Sequence, residues 1–258
     1  MKIYVHTDLE GITGIDNLDM IQRTSPRHRE SCELLMGDVN AAVDGLFAGG
    51  ARDVTVLDSH GGGGNFILDL LDRRADHDPK ANKKWWGKMD PSYQGTIFIG
   101  AHAMAGTMNA FLDHTQSSAS WFDYKVNGRS MGELAQWAMV SGNFGIPMLM
   151  VSGDEAACAE ARNFFSPVET AAVKRGVGRN IAEMVDPAEA RRRIREAAMK
   201  CVALVGKARP FAPLKPMEII LTLYRSDYCD GYANRPNVER FDARTVRKVT
   251  SDPLDLFP

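Results

Sequence analysis

Two acidic residues, Asp8 and Glu10, stand at the end of the first apolar segment of the chain. Side chains alternate along an extended strand, so residues two apart point the same way and these carboxylates can converge on one point. Two anions side by side repel each other unless a cation lies between them. Taken alone, the pair fits two solvated acids at a strand end or a metal site, and the rest of the chain must decide between them.

Histidines follow two later apolar segments in the same way. His60 comes just after residues 53–57, and His102 comes just after residues 96–99. Parallel strands end at a common edge of an open α/β sheet, where ligand sites gather. We therefore expect both imidazoles to lie beside the acidic pair.

Two further residues are candidates for the same site. Glu133 lies three residues after Ser130, which is the spacing of a helix capping box, so it either caps a helix or binds a metal. His114 lies in a loop and is the candidate general acid or base, because imidazole titrates near neutral pH.

The chemistry of this set of residues indicates hydrolysis. Three carboxylates and two imidazoles exceed the four ligands of a closed zinc site. They suit two metal ions roughly 3.5–4 Å apart, and the short side chain of Asp8 is the natural bridge between them. Zinc lowers the pKa of bound water to about 7 in well-studied cases, so a metal-bound hydroxide becomes available to attack a polarised carbonyl.

The elements that must position these residues alternate between strands and helices. A helix predicted over 29–48 makes residues 2–57 a parallel βαβ unit. Further strands are predicted at 96–99, 148–151 and 217–223, helices at 130–143 and 187–205, and a hairpin over 121–126 with its turn at Asn127-Gly128. The predicted fold class is α/β, a mainly parallel sheet flanked by helices, with a smaller α+β C-terminal part. A boundary near residue 155 divides a metal-binding α/β domain, 1–155, from a C-terminal α+β region, 156–258.

Other conspicuous segments are assigned no chemistry. The run Gly61–Gly64 lacks the Lys-Ser/Thr of a phosphate-binding P-loop, so close backbone approach explains it better. Residues 72–92 are expected to be an exposed excursion whose Trp85 and Trp86 pack on another subunit. Lys174 and Arg179 could meet a peptide carboxylate, but they are interpreted as surface charges.

Composition excludes several classes of protein. The 258 residues are 44% apolar and 25% charged, which is typical of a soluble globular protein, and the formal net charge of −2 gives no reason to expect nucleic acid or an anionic membrane as partner. No secretory signal and no membrane-spanning segment is expected. The four cysteines are scattered without a C-x-x-C pair, which indicates reduced thiols and a cytoplasmic location.

Five short motifs occur together in the order and approximate spacing of one known family. They are Thr7-Asp8-Leu9-Glu10-Gly11, Asp58-Ser59-His60, Gly100-Ala101-His102, Asp113-His114-Thr115 and Gly132-Glu133-Leu134. In these motifs the chain resembles the zinc-dependent D-aminopeptidases, typified by the bacterial enzyme of the dipeptide-transport operon. The resemblance covers most of residues 1–180 and becomes weaker after about residue 225.

The resemblance implies a specific activity and site. It implies two zinc ions per chain, bridged by Asp8, and release of N-terminal residues, D-residues in the typical enzyme, from short peptides. The implied metal ligands are Asp8, Glu10, His60, His102 and Glu133, with His114 catalytic. The family enzyme is a homodecamer of two stacked pentameric rings, so a homo-oligomer is expected here.

Two alternatives compete with this metallo-aminopeptidase. One is a dinuclear hydrolase of another amide or of a phosphate ester. The other is a non-enzymatic α/β binding protein in which Glu133 only caps its helix.

Overall fold

The fold consists of two β-sheets and the helices packed on them. The structure, a computed structural model, describes residues 1–80, 82–232 and 234–258. The strands are β1 (Lys2–Thr7), β2 (Asp53–Asp58), β3 (Ala75–Asp78), β4 (Gly95–Ala101), β5 (Trp121–Val126), β6 (Arg129–Ser130), β7 (Met148–Asp154), β8 (Glu169–Gly178), β9 (Ile181–Met184), β10 (Met217–Leu223), β11 (Val238–Arg240) and β12 (Thr245–Thr250). The helices are α1 (His28–Ala48), α2 (Glu133–Asn143), α3 (Glu155–Phe164), α4 (Pro187–Cys201) and α5 (Ser226–Asp230).

The larger sheet has seven strands in the order β3-β2-β1-β4-β7-β8-β9, all parallel except the final β8–β9 pair. Its central strands are apolar on both faces because helices cover both. Ile3 and Val5 of β1 pack in the core beneath α1 and α4, whereas Tyr4 packs in the core beneath α2 and α3. This confirms the predicted mainly parallel α/β sheet flanked by helices.

The smaller sheet is antiparallel, with the order β11-β12-β10-β5-β6. Strand β10 buries every second side chain, as expected for a sheet with one face on a core. The predicted hairpin is confirmed: Asn127 and Gly128 both have positive φ, at 51° and 80°, which suits a two-residue turn between β5 and β6.

Both sheets draw strands from both halves of the chain. Strands β8 and β9 extend the larger sheet beyond residue 155, and β5 and β6 join the smaller sheet from before it. A division into domains 1–155 and 156–258 would cut through both sheets, and it stays a prediction.

The expectation of an exposed excursion over residues 72–92, of which residue 81 lies outside the described residues, was wrong in part, although many of these residues are exposed. Its start forms β3, and the ring of Trp85 lies 5.9 Å from that of Trp137 and 5.6 Å from that of Phe257. The tryptophans thus have apolar partners within their own chain.

The described helices include none that is long and apolar enough to cross a membrane. In the same residues all four cysteines are unpaired and buried.

Candidate metal centre

All six residues that the sequence predicts for the site meet at one edge of the larger sheet. Thr7, at the end of β1, pairs with Asp58 of β2 and with Ile99 of β4. The segments that follow these three strands therefore lie side by side. Two groups of three side chains result, and within each group the ligand atoms lie within 4.8 Å of one another. The groups are Asp8, Glu10 and His60, and His102, His114 and Glu133.

Glycines let the backbones of these segments approach closely. The N–H of Gly11 donates to the carbonyl of Gly100 at 2.8 Å, and a Cβ on Gly11 would overlap the carbonyl oxygen of Ala101. Gly100 has a φ of 82°, and a Cβ there would overlap the carbonyl oxygen of Asp8. Only glycine fits these two positions without a clash. Gly11 and Gly100 belong to the motifs that carry Glu10 and His102, so this close approach positions both ligands.

Asp8 belongs to the first group and also faces the second. Its Oδ1 lies 3.0 Å from Nδ1 of His60, and its Oδ2 lies 3.3 Å from Nε2 of His102. A carboxylate whose two oxygens face two different imidazoles has the arrangement that a bridging ligand requires.

His102 carries the observation that best tests whether the residues fit a metal. Its Nδ1 donates to the carbonyl of Ala103 at 3.0 Å, which leaves Nε2 as the ring nitrogen that faces the acids. Among the described residues this buried Nε2 has no hydrogen-bond partner, although Oδ2 of Asp8 and Oε1 of Glu133 lie 3.3 and 3.4 Å away. A buried polar atom without a partner is costly, and a cation shared with the carboxylates would satisfy it.

Glu133 does not cap its helix. Helix α2 begins at Glu133 itself, and its N-cap, Gly132, provides no side chain. The Oε1 atom of Glu133 instead accepts a hydrogen bond from the N–H of Gln116 at 2.7 Å and lies 3.7 Å from Nε2 of His114. The capping-box interpretation was therefore wrong, because the helix starts three residues later than the spacing predicts.

The loop that carries His114 is held from below by Asp154 at the end of β7. Oδ2 of Asp154 accepts from the N–H of Phe111 at 2.8 Å, while its other oxygen caps α3. Leu112 takes a left-handed φ of 51°, and its carbonyl accepts from Nδ1 of His114 at 2.8 Å. Strained backbone of this kind is found where a side chain must be aimed, and here it directs Nε2 of His114 at the acids.

Charge in the cluster favours a cation. Burial alone would lower the pKa of His60, but attraction to Glu10 and hydrogen bonds with Asp8 and Glu10 outweigh it and raise the pKa to about 11. Burial would likewise raise the pKa of Glu133, but the neighbouring imidazoles, His102 foremost, lower it to about 2. Glu133 is therefore stabilised in the anionic form, which is the form that binds a metal.

Two supporting residues escaped the sequence-based reasoning. Lys174 is not a surface charge: it is 1% exposed, and its ammonium donates to the carbonyls of Glu10 and Ile15 at 2.8 and 2.7 Å. Asp58 accepts from the N–H groups of Gly64, Asn65 and Phe66, and so holds the glycine run against the site. The only sequence signal for Lys174 was its position within an apolar strand. Its partners are more than 150 residues away in the chain, so a local pattern cannot predict the contact.

Known proteins match the chain over its whole length. The D-aminopeptidase of Bacillus subtilis (strain 168) is 32% identical over 264 residues, which cover 100% of this chain and 94% of the relative. The solved structure of the Zn-dependent D-aminopeptidase DppA from Bacillus subtilis, a self-compartmentalizing protease, has a TM-score of 0.93 and 26% identity, over 99% of this chain and 94% of that one. The sequence profile of the family Peptidase_M55, the D-aminopeptidases, matches residues 1–258. The chain therefore belongs to this D-aminopeptidase family and is an aminopeptidase.

Proposed function

We propose that this aminopeptidase uses two zinc ions and removes N-terminal residues, D-residues in particular, from short peptides. The position of Asp8, which belongs to one triad of ligand-type side chains and faces the other, carries the proposal. The zinc dependence of the similar Bacillus subtilis structure supports the choice of metal.

Each side chain has a role in this proposal. Glu10 and His60 would hold one ion, His102 and Glu133 the other, and Asp8 both. When bound, zinc polarises the scissile carbonyl and lowers the pKa of a water molecule. His114 is 14% exposed at its side chain, with Nε2 4.0 Å from Oε1 of Glu10. From there it would take a proton from the attacking water and return it to the departing amine.

The space in front of the cluster suits a small substrate. A cavity of about 370 Å³ is lined by Asp8, Glu10, His60, His114 and Glu133 together with aromatic side chains. This is near the lower end of the range for small-molecule sites, and a folded protein segment would not fit. The similar structure belongs to a self-compartmentalizing protease, which supports a homo-oligomer, a homodecamer in our proposal, whose assembly would restrict access further. Four buried, unpaired cysteines support a cytoplasmic location.

The proposal is tested first by metal content. Protein purified without added metal should contain about two zinc ions per chain, as a dinuclear site requires. Asp8→Ala should lower that content sharply, whereas Asp53→Asn, an exposed aspartate at the other end of the sheet, should leave it unchanged. Absence of stoichiometric metal in the wild type, also after zinc is offered back, would contradict the dinuclear site.

The substrate class is tested with a panel of D- and L-aminoacyl amides, dipeptides and phosphate esters. We expect hydrolysis of the peptides with an N-terminal D-residue, and none of the phosphate esters. Preference for an ester would favour a dinuclear hydrolase of another class, and a protein inactive on the whole panel that also lacks metal would be a binding protein.

A further inference from the structure

We infer that Lys80 is a specificity-determining residue that binds the C-terminal carboxylate of the substrate, so that the enzyme prefers short peptides with a free C-terminus. This inference rests on the proposed function, since it assigns the far end of a peptide whose N-terminal bond is cut at the metal cluster.

The first support is position. Lys80 lines the same cavity of about 370 Å³ as the metal cluster, and it is the only lysine or arginine among the described residues that do so. Its ammonium lies beside the glycine run, 3.8 Å from the point where a Cβ on Gly63 would stand. The run begins directly after His60, so the cation and the cluster lie on neighbouring parts of the cavity wall.

The second support is the missing counter-ion. Within the described residues the Nζ atom of Lys80 makes no hydrogen bond and no ion pair, although the side chain is half-buried. The two acids whose charges act on Lys80 are Asp58 and Asp78, and both bind other groups. Asp58 accepts three backbone N–H groups and the amide of Asn65, and Asp78 accepts the hydroxyl of Tyr4 and the N–H of Lys88. A partly desolvated ammonium without a partner is stabilised by an anion that enters the cavity.

The third support is the character of the remaining wall. Trp85, Trp137 and Phe257 are apolar, and His6 packs between aromatic rings with its pKa lowered to about 3, by burial first. None of these side chains offers a charge to a carboxylate at neutral pH. The metal cluster would therefore take the peptide amine and carbonyl, and Lys80 is the cation on the adjoining wall that remains for the peptide carboxylate.

The arginines nearby fit this role less well. Arg23 and Arg179 line a second cavity on the other side of Glu10, His60 and His114. Arg23 donates to the carbonyls of Gly61 and Gly63, and Nε of Arg179 lies 3.7 Å from Oδ1 of Asp113. Both guanidinium groups thus already have partners within the chain.

The test compares D-Ala-D-Ala with its C-terminal amide, D-Ala-D-Ala-NH₂, because the two differ only in the terminal charge. The zinc-loaded wild type should cleave the free acid with a kcat/KM about 10-fold to 100-fold higher, the range for a hydrogen bond to a charged group. Lys80→Met should bring the acid-to-amide ratio close to 1, mainly through a higher KM for the acid. Lys80→Arg, which keeps the charge, should retain most of the preference, and Lys84→Met, an exposed lysine outside the cavity, should retain all of it.

Three results would overturn the role of Lys80. One is equal cleavage of acid and amide by the wild type, which would still leave the aminopeptidase proposal intact. A second is an equal loss on both substrates in Lys80→Met, which would make the lysine structural. A third is loss of the preference in Arg23→Met but not in Lys80→Met, which would place the carboxylate in the second cavity. A wild type that cleaves neither peptide would instead contradict the proposed function itself.

Discussion

The imidazole of His114 is stacked on that of His102, with ring centroids 3.9 Å apart and ring planes 10° from parallel. The two rings nevertheless have different neighbours. Nε2 of His102 faces Asp8 and Glu133 from a fully buried position, whereas Nε2 of His114 lies further from the acids and is partly exposed. The stacked pair thus combines an inner ring suited to a metal and an outer ring suited to proton transfer.

His114→Ala tests this division of roles. We expect turnover to fall by roughly 10²-fold or more, the usual scale for a general acid–base group, while zinc content stays at the wild-type level. Steady-state kinetics and elemental analysis of the same preparations measure both quantities. His77→Ala, on the edge strand β3, is the control and should change neither. A loss of one zinc ion in His114→Ala would make the outer ring a ligand instead.

Zinc binding should be coupled to proton release. In the metal-free cluster burial alone would lower the pKa of His60, but the neighbouring acids raise it to about 11, so this ring carries a proton at neutral pH. The acids also outweigh burial at His102 and raise its pKa. An imidazole that binds a metal must be neutral, so filling the site should release at least one proton per chain at pH 7, and zinc affinity should fall as the pH falls. Calorimetric titrations in two buffers of different ionisation enthalpy measure the number.

The same shift sets a pH dependence for the metal-free fold. Because the folded pKa of His60 is above its ordinary value of 6.5, its contribution to stability is fully present below about pH 6.5 and is lost as the pH rises towards 11. The Tm of chelated protein should therefore decrease over this range. Zinc titrations that release no protons, together with a Tm that does not decrease, would show that the imidazoles are neutral before metal binds.

Lys174→Met should loosen the segment that follows the acidic pair. The ammonium of Lys174 joins the carbonyls of Glu10 and Ile15, and truncation leaves both buried carbonyls without a donor. Burial already lowers the pKa of Lys174 to about 7, so part of the loss is offset because an expensive buried charge is removed. We expect a decrease in the free energy of unfolding of about 1–3 kcal/mol and weaker zinc binding.

Urea unfolding and zinc titration of this variant measure these effects. Lys200→Met, an exposed lysine on α4, serves as the matched control and should behave as the wild type. Unchanged stability and unchanged zinc affinity in Lys174→Met would show that the loop holds its position without this lysine.

Local sequence alone predicted the parts of this protein that depend on short-range pattern. Apolar runs identified the central strands, and the order of strand, turn and ligand motif predicted that side chains following β1, β2 and β4 meet at one edge. This worked because parallel pairing brings strand ends together whatever lies between them. The positions of Asp8, His60 and His102 therefore followed from the sequence, as did family membership.

Tertiary structure decided the features that depend on contacts between distant segments. The start of α2 at Glu133 depends on neighbouring chain: Gly132 packs against Met104, and Gln116 supplies the N–H that Glu133 accepts. A capping-box pattern describes only local hydrogen bonds and cannot include such partners. Lys174 and Lys80 show the same limit, since a lysine in a sequence window is a surface charge by default. Only the folded chain shows that Lys174 is buried beneath the candidate metal cluster and that Lys80, among the described residues, has no counter-ion inside the cavity.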